Sequence, residues 1–506
     1  MLNPTNGKGR SPTKFSSICT SSMSLLISAC LVLALTAFGI IALGFKPVSS
    51  DDLPMAVVHP DHFPEKGFGS GFTYEYIESL LKQDVKPSHN LASFTTTWMN
   101  PQADKLVKDA MIKNFADKHE YAGTEAIHRR CVSMLAELFH APGVTGHVDE
   151  QGIPSGVANH QMEGVGTAAV GSSESFMLAG LAMKWYWREA RQAKGLPFDK
   201  PNIVMPSTVH LSLKQFAKFF DVELRIAGVS TDSFVAAPED VVALVDENTI
   251  GVVAIAGSTY NGVFEDIPGL NAALEKLNAE KGWDVGIHVD GASGAFVAPF
   301  LYPDYPWDFR LSLVRSINVS GHKYGLVYAG VGWLLFREKK YLPDSLYQHY
   351  NYLGGGDKSS YSINFSRSSH QIIGQYFQLL HLGYEGYSKV MHSMKAQSAK
   401  IVEELTSMGI FKINAPEATY KLPVTAFYLD GQPRNFNEFD LAAKLAEKGW
   451  MVPSYNMPTR KDAPDKKQTL MRIVTRNDFD DAQRHRLMKS MKEAVSELAA
   501  GAQIKR

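Results

Sequence analysis

Six short apolar runs, at 203–205, 222–226, 252–256, 285–290, 315–319 and 331–336, punctuate the middle of this chain, with amphipathic segments between them. Uninterrupted runs of this length, separated by helical patterns, are the signature of strands buried on both faces and joined by crossover helices. The expected architecture is therefore α/β with a mostly parallel sheet. The segments 175–191 and 270–281 repeat apolar residues at helical spacing and supply the crossovers. Beyond a helix at 372–382, a second helix–strand alternation begins near Met394 and contains strands at 424–429 and 470–474, read as a smaller C-terminal α/β domain. The expected organisation is a basic tail (1–22), a hydrophobic segment (23–45), a linker and N-terminal arm (46–89), a large domain (90–393) and a small one (394–506).

The chain has 506 residues, enough for two or three folding units with a sizeable core. Lys plus Arg number 51 and Asp plus Glu 52, so charge points to no nucleic-acid partner. Of three cysteines, Cys19 and Cys30 precede the globular region and leave Cys131 without a partner inside it, which excludes a disulfide framework. Residues 24–45 carry no charge, follow Lys8, Arg10 and Lys14, and are long enough to cross a bilayer as a helix. An uncleaved anchor is favoured over a removed signal, which would have a shorter apolar stretch. The expectation is membrane association through this segment, or a cytoplasmic protein if Met23 or Met55 is the working start, with the side of the membrane left open.

Two strand ends carry chemistry. Ser320-Gly321-His322-Lys323 follows one apolar run and Asp290 closes another, 33 positions earlier. A lysine at a strand end can form an imine with an aldehyde cofactor, and a neighbouring carboxylate can keep a pyridine nitrogen protonated, as pyridoxal 5′-phosphate requires. Gly171-Ser172-Ser173-Glu174 opens the long helix at 175–191, where backbone N–H groups, hydroxyls and the helix dipole converge on a point suited to phosphate. Taken alone, that segment is better explained by ordinary N-capping by serine with Glu174 in the first turn. Gly164-Val165-Gly166-Thr167-Ala168-Ala169 matches a loose dinucleotide fingerprint but follows polar residues rather than a strand, and is rejected. No histidine pattern indicates a metal.

These motifs, with Tyr352-Leu353-Gly354-Gly355 and Ile363-Asn364-Phe365-Ser366-Arg367, resemble the pyridoxal phosphate-dependent glutamate decarboxylases of the group II decarboxylase family, from about residue 90 to 476. The resemblance implies the aspartate-aminotransferase type (fold type I) and a homodimer or higher homo-oligomer with shared active sites. It also implies decarboxylation of glutamate to 4-aminobutyrate and carbon dioxide, with a proton consumed. It makes Lys323 the Schiff-base lysine, Asp290 the partner of the pyridine nitrogen, and Ala292 the small residue on the ring. Ser172, Ser173, Ser320 and His322 fall at phosphate positions, and Ser366 would reach the phosphate of the other subunit. His210 stands where the family stacks a residue on the ring, and Tyr352 in its mobile loop could guide a proton. Ser93, Phe94, Asn114, Asp117 and Arg472 fall on substrate segments, the last gripping the α-carboxylate. Two positions depart from the family pattern: Ser93 replaces a Thr, and Asn261 replaces a cofactor-contacting Thr. The alternatives are another PLP-dependent lyase, acting on a different acidic amino acid or like sphingosine-phosphate lyase, and a non-catalytic anchored scaffold.

Overall fold

A computed structural model describes residues 62–116, 120–142, 166–230, 234–350, 358–458 and 468–501. Contacts group the chain into residues 1–84 and 85–506. Within the first group the described part is residues 62–84, built on the helix Ser70–Leu81, which buries none of its own residues. The uncharged run at 24–45 lies outside the described residues, and among those described no helix is long and apolar enough to cross a membrane.

Residues 85–506 hold two sheets. The larger contains β1 (Gly166–Ala169), β2 (Asn202–Pro206), β3 (Glu223–Ala227), β4 (Thr249–Ile255), β5 (Ile287–Asp290), β6 (Val314–Ser320) and β7 (Gly332–Phe336). Their order is β1-β7-β6-β5-β4-β2-β3. From β3 to β6 neighbouring strands are parallel, whereas β7 is antiparallel to both β6 and β1. Strands β2, β4, β5, β6 and β7 are buried along their whole length, which explains their unbroken apolar spelling. Edge strand β1, Gly-Thr-Ala-Ala, has no such run and was invisible in the sequence. Its position also disposes of the dinucleotide fingerprint: it is an antiparallel edge strand, away from the parallel strands at the sheet's centre.

The helix expected at 175–191 runs Ser172–Ala193, so Ser172 and Ser173 are its first residues rather than its preceding loop. A hairpin of β8 (Gln348–Tyr350) and β9 (Lys358–Ser360) follows the large sheet. The smaller sheet is antiparallel, in the order β10 (Phe411–Ile413), β11 (Val424–Leu429), β13 (Thr469–Val474), β12 (Ser454–Asn456). Helices Glu438–Glu447 and Asp481–Ala499 accompany it, each opened by a reciprocal side-chain cap, Asn437 with Asp440 and Asp480 with Gln483. Such caps satisfy backbone donors that the helix cannot and contribute about 1 kcal/mol each.

The segment His370–Ser407 joins the two sheets; it is two helices meeting at Gly383 (φ 56°, ψ −171°), the first closing at the expected end, 382. Ile372, Leu379, Met391 and Met394 from it pack in the core of the large sheet, Ile401 and Leu405 in that of the small one. The boundary expected at 393/394 therefore falls inside the second of these helices, which serves both cores.

Candidate active site

In open α/β sheets ligands bind beyond the carboxyl ends of parallel strands, and one cavity of about 390 Å³ lies there. Thr208 and His210 follow β2, Gly257 and Thr259 follow β4, Ala292 and Ser293 follow β5, and His322 and Lys323 follow β6; all line it, together with Asp290 and Ser320.

One end is made by the start of the Ser172–Ala193 helix. Ser172, Ser173 and Glu174 line the cavity there, and the first N–H groups of a helix have no partner within it. Ser320 Oγ donates to Ser172 Oγ at 2.7 Å, so the two hydroxyls from separate elements share one spot. The His322 ring, bonded through Nδ1 to the Val331 carbonyl at 3.1 Å, forms the adjoining wall. Burial and the neighbouring Lys323 push its pKa down to about 4, leaving a neutral imidazole at pH 7. Strand β7 runs close behind this turn. A Cβ at Gly332 would fall 2.4 Å from the carbonyl carbon of Gly171 and 2.6 Å from the Ser172 nitrogen, so glycine is required for the approach. Glu174 ties the turn to a distant segment: Oε2 accepts from Val170 N at 2.9 Å, and Oε1 from Ile363 N at 3.0 Å and Asn364 N at 3.2 Å.

The opposite wall holds the amine and the carboxylate. Lys323 Nζ donates to Ser293 Oγ at 3.2 Å and lies 5.3 Å from the centre of the Phe94 ring. Burial lowers the Lys323 pKa; the Asp290 charge opposes this and the Arg472 charge adds to it. The net direction favours a neutral, nucleophilic amine. Asp290 is 5% exposed, and its Oδ1 accepts from Ala292 N at 3.1 Å and Asn318 Nδ2 at 3.0 Å. His210 caps the Leu211–Phe219 helix by accepting from Ser212 N at 3.2 Å. Burial, then the Lys323 charge, lowers its pKa, so this ring too is neutral at pH 7.

The substrate segments predicted around 93–94 and 472 sit beside this cavity rather than in its walls. Thr96 bonds the His322 carbonyl through N at 2.8 Å and the Lys323 carbonyl through Oγ1 at 2.7 Å, fixing the 90–98 loop against the lysine. Arg472 Nη2 donates to the Ala92 carbonyl at 2.7 Å and Nη1 to the Thr259 carbonyl; its guanidinium lies 5.0 Å from the Phe94 ring centre. Arg476, 3% exposed, donates to the carbonyls of Pro87, Asn90 and Ser93. Ser93 Oγ accepts from Thr95 N at 3.1 Å, a turn contact.

Three further residues are not brought to the cavity. Asn261 is fully buried against the smaller sheet: Nδ2 donates to Asn414 Oδ1 at 3.1 Å and Oδ1 accepts from Val263 N at 3.2 Å. Thr259, two residues earlier, lines the cavity instead. Asn114 and Ser366 lie outside it but next to each other, Nδ2 to Oγ at 3.4 Å. Asp117 and Tyr352 fall outside the described residues. Sequence reasoning missed Ser293, Thr96, Arg476, His288 and Asn318. Thr96 and Ser293 lie beside Phe94 and Ala292 in sequence, whereas buried polar residues at alternate positions of β5 and β6 were the available but unused signal.

An amine, a carboxylate 5% exposed and a dianion site at a helix start, on one cavity, suit a pyridine aldehyde that carries a phosphate. Residues 74–429 match the family model described as the pyridoxal-dependent decarboxylase conserved domain. The chain is 46% identical over 436 residues to a glutamate decarboxylase of Solanum lycopersicum, covering 86% of this chain and 82% of that one. It is 38% identical over 428 residues to a glutamate decarboxylase of Lactococcus lactis, with 84% and 87% covered. Among solved structures it is similar to Lactobacillus brevis glutamate decarboxylase, at TM-score 0.77 and 35% identity over 90% of this chain and 97% of the other. The fold also recurs in a Burkholderia pseudomallei sphingosine-1-phosphate lyase, at TM-score 0.69 and 20% identity over 88% and 94%. With the family model matching well over half of its length, the chain belongs to the pyridoxal-dependent decarboxylases.

Proposed function

We propose that this protein is a pyridoxal phosphate-dependent carboxy-lyase that converts L-glutamate to 4-aminobutyrate and carbon dioxide, taking up one proton. The carrying observation is that Lys323 and Asp290 share a cavity with the Ser172–Ala193 helix start, in a chain 46% identical over most of its length to a relative named glutamate decarboxylase. When bound, the cofactor supplies an aldehyde for an amine and a ring that accepts the electron pair left behind by carbon dioxide.

The residue roles follow the family resemblance, supported for the described residues by their surroundings. Lys323, with its lowered pKa, is the amine that would hold the aldehyde of the bound cofactor and take it back when product leaves. Asp290 would keep a proton on the cofactor's pyridine nitrogen. Ser172, Ser173, Ser320 and His322 would hold its phosphate, and Ala292 and His210 would pack on its ring. The neutral state of His210 supports stacking, since burial disfavours a cationic ring there. Arg472 is the grip on the α-carboxylate; its Nε, buried and without a hydrogen-bond partner among the described residues, is the donor left for that contact. Ser93 and Phe94 wall the substrate side. Asn114 and Asp117 are assigned to the distal carboxylate, Tyr352 to guiding the proton to Cα, and Asn261 to the cofactor pocket through the loop it anchors.

A homodimer with shared sites is part of the same proposal. Ser366 and Asn114 are off the cavity of their own chain yet bonded to each other, and Met111, Ile112, Ile363 and Phe365 beside them are exposed apolar residues. That surface suits a second copy whose phosphate Ser366 would reach, and light scattering of the purified chain tests it by mass. Residues 24–45 are proposed as the membrane attachment, supported by their uncharged length alone. Sedimentation of the full chain with membranes tests that attachment against a cytoplasmic location.

The deciding experiment is carbon dioxide release from a panel of amino acids by the PLP-loaded protein. Glutamate should be the preferred substrate, and Lys323→Ala should remove the turnover. Preference for another amino acid, or turnover retained in Lys323→Ala, would reject the reading.

A further inference from the structure

Asp290 uses only one of its two carboxylate oxygens inside the protein. Oδ1 accepts from Ala292 N and Asn318 Nδ2, while Oδ2 has no hydrogen-bond partner among the described residues. Asn318 lies opposite Asp290 in the β5–β6 register, and Ser316 lies opposite His288. Alternate residues of a strand share a face, so these four side chains form two adjacent cross-strand pairs on one side of the sheet. They are buried to the last few per cent: His288 and Asn318 at 0% exposed, Ser316 at 1% and Asp290 at 5%. Asn318 Oδ1 is 2.7 Å from His288 Nε2, and His288 Nδ1 is 2.7 Å from Ser316 Oγ.

Donor and acceptor chemistry gives this row one direction. A carboxylate only accepts, so Asn318 must turn its amide NH2 to Asp290 and its oxygen to His288. That oxygen requires a donor, which places the imidazole proton on Nε2. Burial lowers the His288 pKa, so the ring is neutral and its Nδ1 lone pair takes the Ser316 hydroxyl proton. Every proton in the row therefore points towards Asp290. A buried network whose members are all satisfied is rigid, and reversing one member leaves a donor or acceptor facing its own kind.

We infer that His288 and Asn318 are positioning residues for Asp290, holding its carboxylate so that Oδ2 alone is presented to the cofactor's ring nitrogen. This rests on the assignment of Asp290 made above. Neither residue lines the cavity, so each acts through Asp290.

The test compares four variants of the full chain in PLP affinity and in the pH midpoint of the bound cofactor's absorbance change. Asn318→Asp is isosteric and sets an acceptor against an acceptor. It should weaken PLP binding roughly tenfold and move the absorbance midpoint by about one pH unit. His288→Leu cannot donate to Asn318 and should act in the same direction, whereas His288→Gln retains an amide donor and should stay within about threefold of the parent. Asp290→Asn separates the two claims. If it loses affinity while Asn318→Asp binds PLP like the parent with an unmoved midpoint, the positioning role is overturned and the reading of Asp290 stands. If Asp290→Asn too behaves like the parent, the reading of Asp290 itself fails.

Discussion

At the scale of single residues, burial around a few strand ends shifts titratable groups towards their neutral forms. Lys323, His210, His288 and His322 all have lowered pKa values with burial as the leading cause. Glu265 is the carboxyl counterpart. It is 7% exposed, with Oε2 accepting from Ile255 N at 2.8 Å, and burial raises its pKa from 4.5 to about 8 against the pull of its backbone hydrogen bonds. Because the folded value lies above the unfolded one, the associated stability is complete below pH 4.5 and lost as pH rises through about 8. Glu265→Gln removes this titration. Thermal melts should show the parent losing stability relative to the variant between pH 5 and pH 9, by on the order of a few kcal/mol; parallel pH profiles would show that Glu265 is ionised in the fold. Lys323 and Asp290 were legible in the sequence because each closes an apolar run and has a chemistry of its own. Asn318 and His288 were not, since a polar residue within a strand reveals its partner only once register is known. Asn261 shows the opposite failure: a residue in the right loop whose side chain turns to Asn414.

At the scale of elements, the parallel strands were readable because burial on both faces leaves nothing polar to interrupt them, and β2, β4, β5, β6 and β7 each lie within two or three residues of the expected limits. What escaped were elements defined by their neighbours. β1 exists because β7 offers it an edge, and the helix after Gly383 reaches Ser407 because two cores need its two ends. The site also depends on how elements approach one another. β7 passes the Gly171–Ser172 turn so closely that Gly332 has no room for a side chain. Gly332→Val should push that turn outward, costing about 1–3 kcal/mol of stability as overpacking does. It should also weaken binding at the helix start, read as a lower PLP affinity alongside a lower melting temperature. Parental affinity with only the melting temperature reduced would mean that the turn is not part of the phosphate site. The 87–98 loop depends likewise on two strand-end arginines, Arg472 and Arg476, that no local pattern around residue 90 announces.

At the scale of the whole molecule, the large sheet supplies the cavity, β13 and the turn after it supply Arg472 and Arg476, and the helix after Gly383 links the cores of both sheets. Residues from strand ends far apart in sequence meet there: 172 with 320 through their hydroxyls, 323 with 293, and 96 with the backbone at 322 and 323. The central claim is that the Lys323 amine is where the cofactor aldehyde attaches. Borohydride reduction of the PLP-loaded protein fixes that linkage permanently, and mass mapping of its peptides locates it. The account predicts one pyridoxyl mark, on Lys323, absent from Lys323→Ala. A mark on any other lysine, or none on a protein that releases carbon dioxide from glutamate, would contradict it.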